Sequence, residues 1–269
     1  MLMHKQVSIP LYLEQHGQGP DVVLLHGWGL HGGVWKSVVA KLEKRFRIHV
    51  IDLPGHGFSE FGREGLDLDS AAEAVCQTLN TRGLSGVVLL GWSLGGMIGW
   101  RMALRDPGLV SRMVLVATAP SFVRREHWPY GMAVDELDVF SNQLQQDYRA
   151  TVLRFLALQA QGDKRARENV RALRQIVFDR GEPAVGALAA GLEILRSADL
   201  TAGLAETVQP TLLIGGQRDV LVSPDALEAA ADRLPAARVH IIRGAGHAPF
   251  LSHYDEFVRH ARDFIDHAD

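Results

Sequence analysis

The sequence predicts an α/β fold, with a mostly parallel sheet and helices on both of its faces. Short apolar runs rich in β-branched residues alternate with stretches of helical periodicity over most of the 269 residues. Several of these runs end in glycine-containing turns, as expected where a buried strand leads into a helix. A hydrophobic fraction of 47% is enough to form a large buried core.

The predicted elements follow one another in a regular order. The first strand, 7–13, alternates apolar and polar residues, whereas the later strands are short runs dominated by valine, leucine and isoleucine, which suit a buried parallel sheet. Those runs are 22–25, 48–52, 87–90, 113–117, 211–215 and 239–242. Apolar residues at helical spacing predict helices at about 34–44, 69–79, 97–104, 224–234 and 255–266.

The alternation of predicted strands and helices is interrupted between residues 120 and 199. No β-rich run occurs in this stretch, and the spacing of apolar residues is helical throughout. Such an insertion can be a separate bundle or a cap above the carboxyl edge of the sheet. We favour the cap, because ligands of open α/β sheets bind at that edge. The predicted organisation is a core of residues 1–119 and 200–269 with a helical cap at 120–199.

Composition argues against several classes of protein. A net charge of −3 argues against a nucleic-acid partner, and no run approaches the length of a membrane span. The N-terminal stretch has no signal-peptide pattern and the single cysteine, Cys76, cannot form an internal disulfide, so a cytoplasmic location is expected. No metal-ligand spacing, P-loop or dinucleotide fingerprint occurs, so no metal or other cofactor is expected. A monomer is the default expectation.

The strongest candidate for chemistry is Ser93, in the segment GWSLGG directly after the strand at 87–90. In the pattern G-x-S-x-G, the glycines let the chain turn sharply from strand to helix and leave the serine at the tip. The first N–H groups of the following helix then point toward a developing oxyanion. Ser93 is therefore the predicted nucleophile; the alternative is a serine in an ordinary strand-to-helix turn.

A nucleophilic serine needs a base and a carboxylate that orients this base. His247 follows the strand at 239–242 through the segment GAGHAPF, and Asp219 follows the strand at 211–215. The order Ser93, Asp219, His247 is typical of α/β-hydrolases. Asp219 could instead cap a turn, and Asp199 is a competing carboxylate, although it follows a helical stretch rather than a strand.

Two backbone N–H groups should stabilise the oxyanion. One belongs to Leu94, the residue after the predicted nucleophile, and the other to Trp28, in the loop HGWGL after the strand at 22–25. His26 is expected to brace this loop rather than react. The indole rings of Trp28 and Trp92 would lie beside the nucleophile, unless they serve core packing alone.

The segments HGWGLHGGVW, DLPGHGFS, LLGWSLGGM and GAGHAPFLSH resemble those of the α/β-hydrolase superfamily. More narrowly, HGWGL, GWSLGG and the cap segments EHWP, RFLALQ and GLEIL resemble the pimeloyl-[acyl-carrier protein] methyl ester esterases of biotin synthesis. This similarity extends from about residue 22 to residue 257. It implies an α/β-hydrolase fold and a serine carboxylesterase that hydrolyses the methyl ester of pimeloyl-[acyl-carrier protein] through an acyl-enzyme intermediate.

The resemblance also implies roles for individual residues. Ser93, Asp219 and His247 would form the catalytic triad, with Trp28 and Leu94 at the oxyanion hole. The substrate would contact Trp28, His247 and the consecutive residues Phe155, Leu156, Ala157, Leu158 and Gln159. The implied partner is the acidic acyl carrier protein, whose docking arginines match Arg154, Arg167 and Arg171, whereas Ala150 replaces one further family arginine, beside Arg149.

The charge of the predicted cap fits an acidic partner. Residues 149–180 contain eight basic and three acidic side chains, and Arg167, Arg171 and Arg174 share one face of a predicted helix. The alternative is an ordinary solvated helix surface. For the function, the alternatives are a broad carboxylesterase of free short-chain esters and a catalytically silent binding protein, against which the complete triad counts. A dehalogenase would need aspartate in place of Ser93.

Overall fold

The computed structural model describes residues 11–62, 65–161 and 165–266. In this part of the chain, seven strands form one sheet in the order β1-β3-β2-β4-β5-β6-β7. β1 pairs with β3 in an antiparallel manner, and all other neighbouring strands are parallel. The strands are β1 (Leu13–His16), β2 (Asp21–Leu25), β3 (Arg47–Ile51), β4 (Val87–Trp92), β5 (Val110–Val116), β6 (Thr211–Gly216) and β7 (Ala237–Ile242).

Helices connect these strands and cover the sheet. The helices are α1 (Lys36–Leu42), α2 (Leu68–Thr81), α3 (Leu94–Arg105), α4 (Val134–Gln146), α5 (Tyr148–Gln159), α6 (Ala166–Ile176), α7 (Val185–Ser197), α8 (Pro224–Ala231), α9 (Pro249–Ser252) and α10 (Tyr254–Asp266). Because crossovers between parallel strands are right-handed, α1 and α3, which lead to opposite edges of the sheet, lie on opposite faces. Accordingly, α1 contacts α10, whereas α3 contacts α2. None of the described helices is long and apolar enough to cross a bilayer.

The predicted α/β fold is confirmed, and the six parallel strands lie where the apolar runs predict them. The first strand differs. Residues 7–10 of its predicted span lie outside the described residues, and the described strand is Leu13–His16. This strand pairs only with β3, at the edge of the sheet, so it tolerates polar residues that hide the strand from a search for apolar patterns.

The sequence predicts a stretch between β5 and β6 that is helical throughout. The structure has helices α4 to α7 there, but part of the stretch is not helical. Residues 120–133 precede the first of these helices and contain two isolated bridges, Val123 with Met132 and Arg125 with Trp128. Pro129 and Gly131 lie inside this segment, and both disfavour a helix interior. The helical insertion therefore begins at α4, after a short irregular segment that contains one parallel and one antiparallel bridge.

The strand order places one crevice at the centre of the sheet. The chain proceeds from β2 to β3 in one direction and from β4 to β5 in the other, so the loops after β2 and β4 diverge at adjacent carboxyl ends. This is the topological switch point at which open α/β sheets bind ligands. The loop containing Trp28 and the turn containing Ser93 both lie there.

Candidate active site

Ser93 lies in a sharp turn between β4 and α3. Its backbone has φ 55° and ψ −119°, a conformation that non-glycine residues rarely adopt. A Cβ on Gly95 would overlap the carbonyl oxygen of His26, so glycine is needed for this close approach of the loop after β2. The Ser93 side chain does not cap α3, although it occupies the N-cap position. The turn thus presents the hydroxyl at the carboxyl edge of the sheet.

Asp219 and His247 lie on the loops after β6 and β7 and form a buried pair. His247 Nδ1 is 2.8 Å from Asp219 Oδ2, and both side chains are fully buried. The other oxygen, Asp219 Oδ1, accepts hydrogen bonds from the N–H groups of Leu221 (2.8 Å) and Val222 (3.0 Å). The carboxylate is therefore held in place by its own loop and can fix the tautomer in which His247 Nε2 accepts a proton.

The main chain of His247 is tied to the nucleophile turn and to helix α5. Its carbonyl accepts a hydrogen bond from Trp92 Nε1 at 2.9 Å, and its N–H donates to the carbonyl of Gln159 at 3.0 Å. Ser93 Oγ, His247 Nε2 and the side-chain amide of Gln159 are buried without a hydrogen-bond partner among the described residues. Unpaired buried polar atoms are costly in a folded protein, so their presence here fits a site that awaits a polar ligand.

The loop after β2 contributes Trp28, whose N–H is the predicted oxyanion donor beside that of Leu94. Leu94 is the first residue of α3, where N–H groups have no carbonyl one turn earlier to bind. The Trp28 indole is fully buried and donates to the carbonyl of Leu188 in α7 at 2.8 Å. A Cβ on Gly191 would collide with the Trp28 ring and press on the Leu94 side chain, so α7 packs closely against the side chains of both residues.

The five consecutive residues of α5 implied in substrate binding divide between two faces of the helix. Phe155, Leu156 and Gln159 are buried, and the Phe155 ring lies 4.8 Å from that of Trp28. Ala157 is exposed and Leu158 is half-buried; both line an open, mostly apolar groove of about 610 Å³ together with Arg154. Of the three buried residues, Phe155 packs against the loop of residues 26–30, the predicted oxyanion loop, and the carbonyl of Gln159 accepts from the N–H of His247.

Two buried histidines, His26 and His56, hold the oxyanion loop in place. His26 is predicted from the sequence to support this loop, whereas His56 is not assigned to the site. His56 Nε2 accepts a hydrogen bond from the N–H of Gly29 at 3.3 Å, and its Nδ1 lies 3.0 Å from the Pro54 carbonyl. His26 Nε2 accepts from the N–H of Leu53 at 2.9 Å. A nitrogen that accepts from an N–H carries no proton, so both rings are neutral with the proton on Nδ1.

Burial lowers the pKa of both rings, to about 3 for His26, where the neighbouring His56 adds to the effect, and to about 4 for His56. Both remain neutral in the folded protein below pH 6.5, while the unfolded chain takes up protons there. The contribution of these two neutral rings to the free energy of unfolding is therefore fully present above pH 6.5 and is lost as the pH falls toward 4. We expect the free energy of unfolding to fall by about 2–3 kcal/mol per histidine between pH 7 and pH 4.5, measured by urea unfolding.

The matched variants for this experiment are His56→Gln and His127→Gln. Glutamine does not titrate, so His56→Gln should lower stability at pH 7 but flatten its dependence on pH by about one proton. The imidazole of His127 is 57% exposed and contacts Asp199 rather than the loop of residues 26–30, so His127→Gln is the control for the loss of a histidine outside that loop. If the free energy of unfolding changed equally with pH in wild type and His56→Gln, the loss of stability at low pH would not come from this buried ring.

A second contact ties the helical insertion to the loops beneath it. Asp52, fully buried at the end of β3, accepts from the N–H of Gly32 at 2.6 Å and from Arg180 Nη1 at 3.1 Å. Arg180, which follows α6, also pairs with Glu14 at 2.7 Å. The sequence alone does not predict this link, because its only local signal is a carboxylate directly after a buried strand.

The competing carboxylate, Asp199, has other partners. It lies 2.8 Å from His127 Nε2 and 3.5 Å from Arg125, and it accepts from the N–H and hydroxyl of Thr201 at 2.9 Å and 2.6 Å. Asp199 thus fastens the chain after α7, whereas Asp219 is the carboxylate paired with His247.

The three implied docking arginines are exposed on α5 and α6. Arg154 donates to the side chain of Gln143. On α6, Asn169 and Leu173 form the buried side, and Arg167 and Arg171 lie on the solvent side. Arg149, next to the position where the family arginine is missing, forms an ion pair with Glu182 and lies 4.9 Å above the ring of Phe178.

Comparisons with known proteins agree with this architecture. Residues 20–254 match the family described as the alpha/beta hydrolase fold. The pimeloyl-[acyl-carrier protein] methyl ester esterase of Nitrosospira multiformis is 39% identical over 93% of this chain and 96% of its own, and that of Nitrosomonas europaea is 43% identical over 92% and 96%. An esterase from Exiguobacterium antarcticum superposes with a TM-score of 0.87 at 26% identity, over 96% of each chain. The chain therefore belongs to the α/β-hydrolase family, and within it to the family of the pimeloyl-[acyl-carrier protein] methyl ester esterases.

Proposed function

We propose that this chain is a serine carboxylesterase that hydrolyses the methyl ester of pimeloyl-[acyl-carrier protein]. Ser93 is the nucleophile, His247 the general base and Asp219 the carboxylate that orients the base. The partner is the acyl carrier protein that holds the substrate. Cytoplasmic location, a monomeric state and the absence of nucleic-acid and membrane partners stay predictions of the sequence analysis.

The chemistry follows from the roles of these groups. Ser93 Oγ attacks the ester carbonyl while His247 Nε2 takes its proton, and the carbonyl oxygen becomes an oxyanion near the N–H groups of Trp28 and Leu94. The C–O bond to methanol breaks as His247 returns the proton to the leaving oxygen. Water then attacks the acyl-enzyme in the same way and releases the free carboxylate together with Ser93.

The observation that carries the chemical part is the buried hydrogen bond between His247 and Asp219. The loop of His247 is held in turn by Trp92, the residue before Ser93, whose indole donates to the His247 carbonyl. A buried imidazole–carboxylate pair next to a strained serine is the arrangement that acyl transfer requires. The substrate is inferred from the esterases of Nitrosospira multiformis and Nitrosomonas europaea, which match nearly the whole chain, including the helical insertion.

We further propose that residues 120–199 form a cap over a core of residues 1–119 and 200–269. Helices α5 and α7 supply the contacts that support this proposal, because Phe155 packs on the Trp28 ring and Leu188 accepts its indole hydrogen bond. Phe155 and Leu156 would then face the acyl chain. Ala157 and Leu158 lie in the outer groove beside Arg154, where they could contact the part of the substrate that leads toward the carrier.

A broad carboxylesterase without a carrier partner is the second candidate. The similarity to the esterase of Exiguobacterium antarcticum favours it, and the same triad would serve both functions. Activity on a small model ester therefore cannot separate the two. Complementation of a biotin-requiring strain that lacks its own methyl ester esterase can, because only the carrier-dependent reaction restores growth.

The basic face of α6 provides a direct test of the carrier. In the double variant Arg167→Glu/Arg171→Glu, KM for the carrier-bound ester should rise about tenfold or more at low salt, because exposed charges jointly steer and orient an acidic partner. Hydrolysis of a small free ester should be nearly unchanged, since the triad is intact. Added salt should reduce the difference, because it screens exposed charges. Steady-state kinetics on both substrates measure these effects.

A matched control reverses two charges at the opposite edge of the sheet. Lys44 and Arg82 are exposed just beyond the ends of α1 and α2, near the amino ends of the strands that follow these helices. Lys44→Glu/Arg82→Glu should leave both activities intact. Equal losses on both substrates in Arg167→Glu/Arg171→Glu would mean that these arginines hold the fold together. No loss on either substrate would favour the broad carboxylesterase.

A further inference from the structure

A cluster of three metal-ligating side chains lies on β7 and α10, outside the candidate active site. His240 Nε2 is 3.0 Å from Glu256 Oε1, and the imidazole rings of His240 and His260 stack with centroids 3.5 Å apart and planes 24° from parallel. One ligand atom from each of the three residues lies within 4.8 Å of the other two. Each residue is half-buried, so solvent reaches one side of the cluster.

No metal site is expected from the sequence, because the histidines show none of the usual short spacings. Glu256 and His260 are four residues apart and share one face of α10, but the third group comes from a strand 16 residues earlier in the chain. Only the packing of the last helix against β7 brings the three together. Such a site is invisible to any search for local motifs.

The ligand set selects the type of ion. Two imidazoles and one carboxylate suit zinc and its neighbours in the first transition series, whereas magnesium and calcium prefer oxygen alone. In a tetrahedral site with bonds near 2.0–2.1 Å, the ligand atoms are about 3.3 Å apart. The atoms of this cluster are already within 4.8 Å, so side-chain rotations of half-buried groups can close the remaining distance.

We propose that His240, Glu256 and His260 bind one divalent transition-metal ion of the zinc type, with water completing the coordination. The exposed guanidinium of Arg259 is a neighbouring cation in contact with the cluster, with Nη2 3.2 Å from His260 Nε2. It has to move away for His260 to bind through that nitrogen. Arg259 therefore opposes the ion, both by its charge and by its position.

The bound ion would link the outermost strand of the sheet to the last described helix. β7 ends at Ile242 and leads directly into the loop that carries His247. An ion that binds the folded chain and not the unfolded one raises the unfolding temperature. Because none of the three ligands belongs to the proposed triad, the esterase rate should not change. The role of the site is thus structural rather than catalytic.

The experiment titrates tag-free, chelator-treated protein with Zn²⁺ by calorimetry. We expect one ion per chain, binding at least tenfold weaker in His240→Ala and in His260→Ala, and tighter binding in Arg259→Gln, which removes the competing charge. His127→Ala, which removes an exposed histidine elsewhere, should bind like wild type. Co²⁺ should give the visible absorption of a four-coordinate site in wild type, and this absorption should be lost in His260→Ala.

Three results would overturn the proposal. The first is the absence of Zn²⁺ binding to wild type, and the second is unchanged binding in both histidine variants, which would place the ion elsewhere. The third is a Zn²⁺-dependent rise in melting temperature that is the same in wild type and His260→Ala. Circular dichroism and hydrolysis of a small ester, which should stay at the wild-type level in every variant, show that the variants remain folded.

Discussion

Ser93→Ala is expected to lower kcat by about 10³-fold or more, because alanine leaves no oxygen to attack the ester carbonyl. The turn itself should survive. Its shape depends on the close approach permitted by Gly95 and on the bond from the Ser93 N–H to the Val116 carbonyl, neither of which involves the hydroxyl. The melting temperature should therefore change little while the activity collapses, and the label of a fluorophosphonate should disappear with it.

His247→Ala should cost about as much as Ser93→Ala, and the double variant should be little worse than either, since groups that act as one unit are not additive. Ser252→Ala is a suitable control, because this buried hydroxyl contacts His253 and belongs to no proposed step. Substantial esterase activity in Ser93→Ala would refute the nucleophile. Additive losses in the double variant would show that the two residues act independently.

The inner parallel strands β2 to β6 could be predicted because strands buried on both faces are largely continuous apolar runs. Strand β7, mostly half-buried at the other edge of the sheet, is predicted by Val239, Ile241 and Ile242. The edge strand β1 could not, since Glu14, Gln15 and His16 carry no apolar pattern. The switch point at β2 and β4 explains why loops that are distant in sequence meet, and it also explains why their chain order already suggested a common site.

A site residue can be predicted from the sequence when the contacts that hold it lie within its own loop. It cannot be predicted in this way when its partner is distant in the chain. Ser93 and Asp219 are defined locally, by the glycines of the turn and by the N–H groups two and three residues onward. The contact of His56 with Gly29 spans 27 residues, and that of Arg180 with Asp52 spans 128. Such partners depend on tertiary packing, which no local pattern reports.

Helix geometry limits what a matching segment can imply. The five consecutive residues from Phe155 to Gln159 cannot all face one channel, because side chains advance by about 100° per residue around a helix. The structure accordingly buries three of them and leaves Ala157 and Leu158 in the outer groove. A segment shared with a relative therefore indicates only the region in which a ligand binds. The burial of each residue in the segment then shows which side of the helix it faces.

Asp219→Asn should lower kcat by about 10⁴-fold with little change in KM or in the melting temperature, by analogy with other Ser-His-Asp enzymes. The loop should keep its shape, because the asparagine oxygen can still accept from the N–H groups of Leu221 and Val222. The new amide group, however, would donate to His247 Nδ1. The imidazole would then carry its proton on Nε2, the nitrogen that has to accept the proton of Ser93.

Asp199→Asn is the matched control, because it makes the same chemical change in a carboxylate whose partners are His127 and Arg125. Partly exposed ion pairs contribute only about 0–1 kcal/mol, so this variant should lose a little stability and no activity. The opposite outcome, with Asp199→Asn inactive and Asp219→Asn active, would mean that the hydrogen bond from Asp219 to His247 does not orient the base. Steady-state kinetics and thermal unfolding of the two variants, measured side by side, decide between these carboxylates.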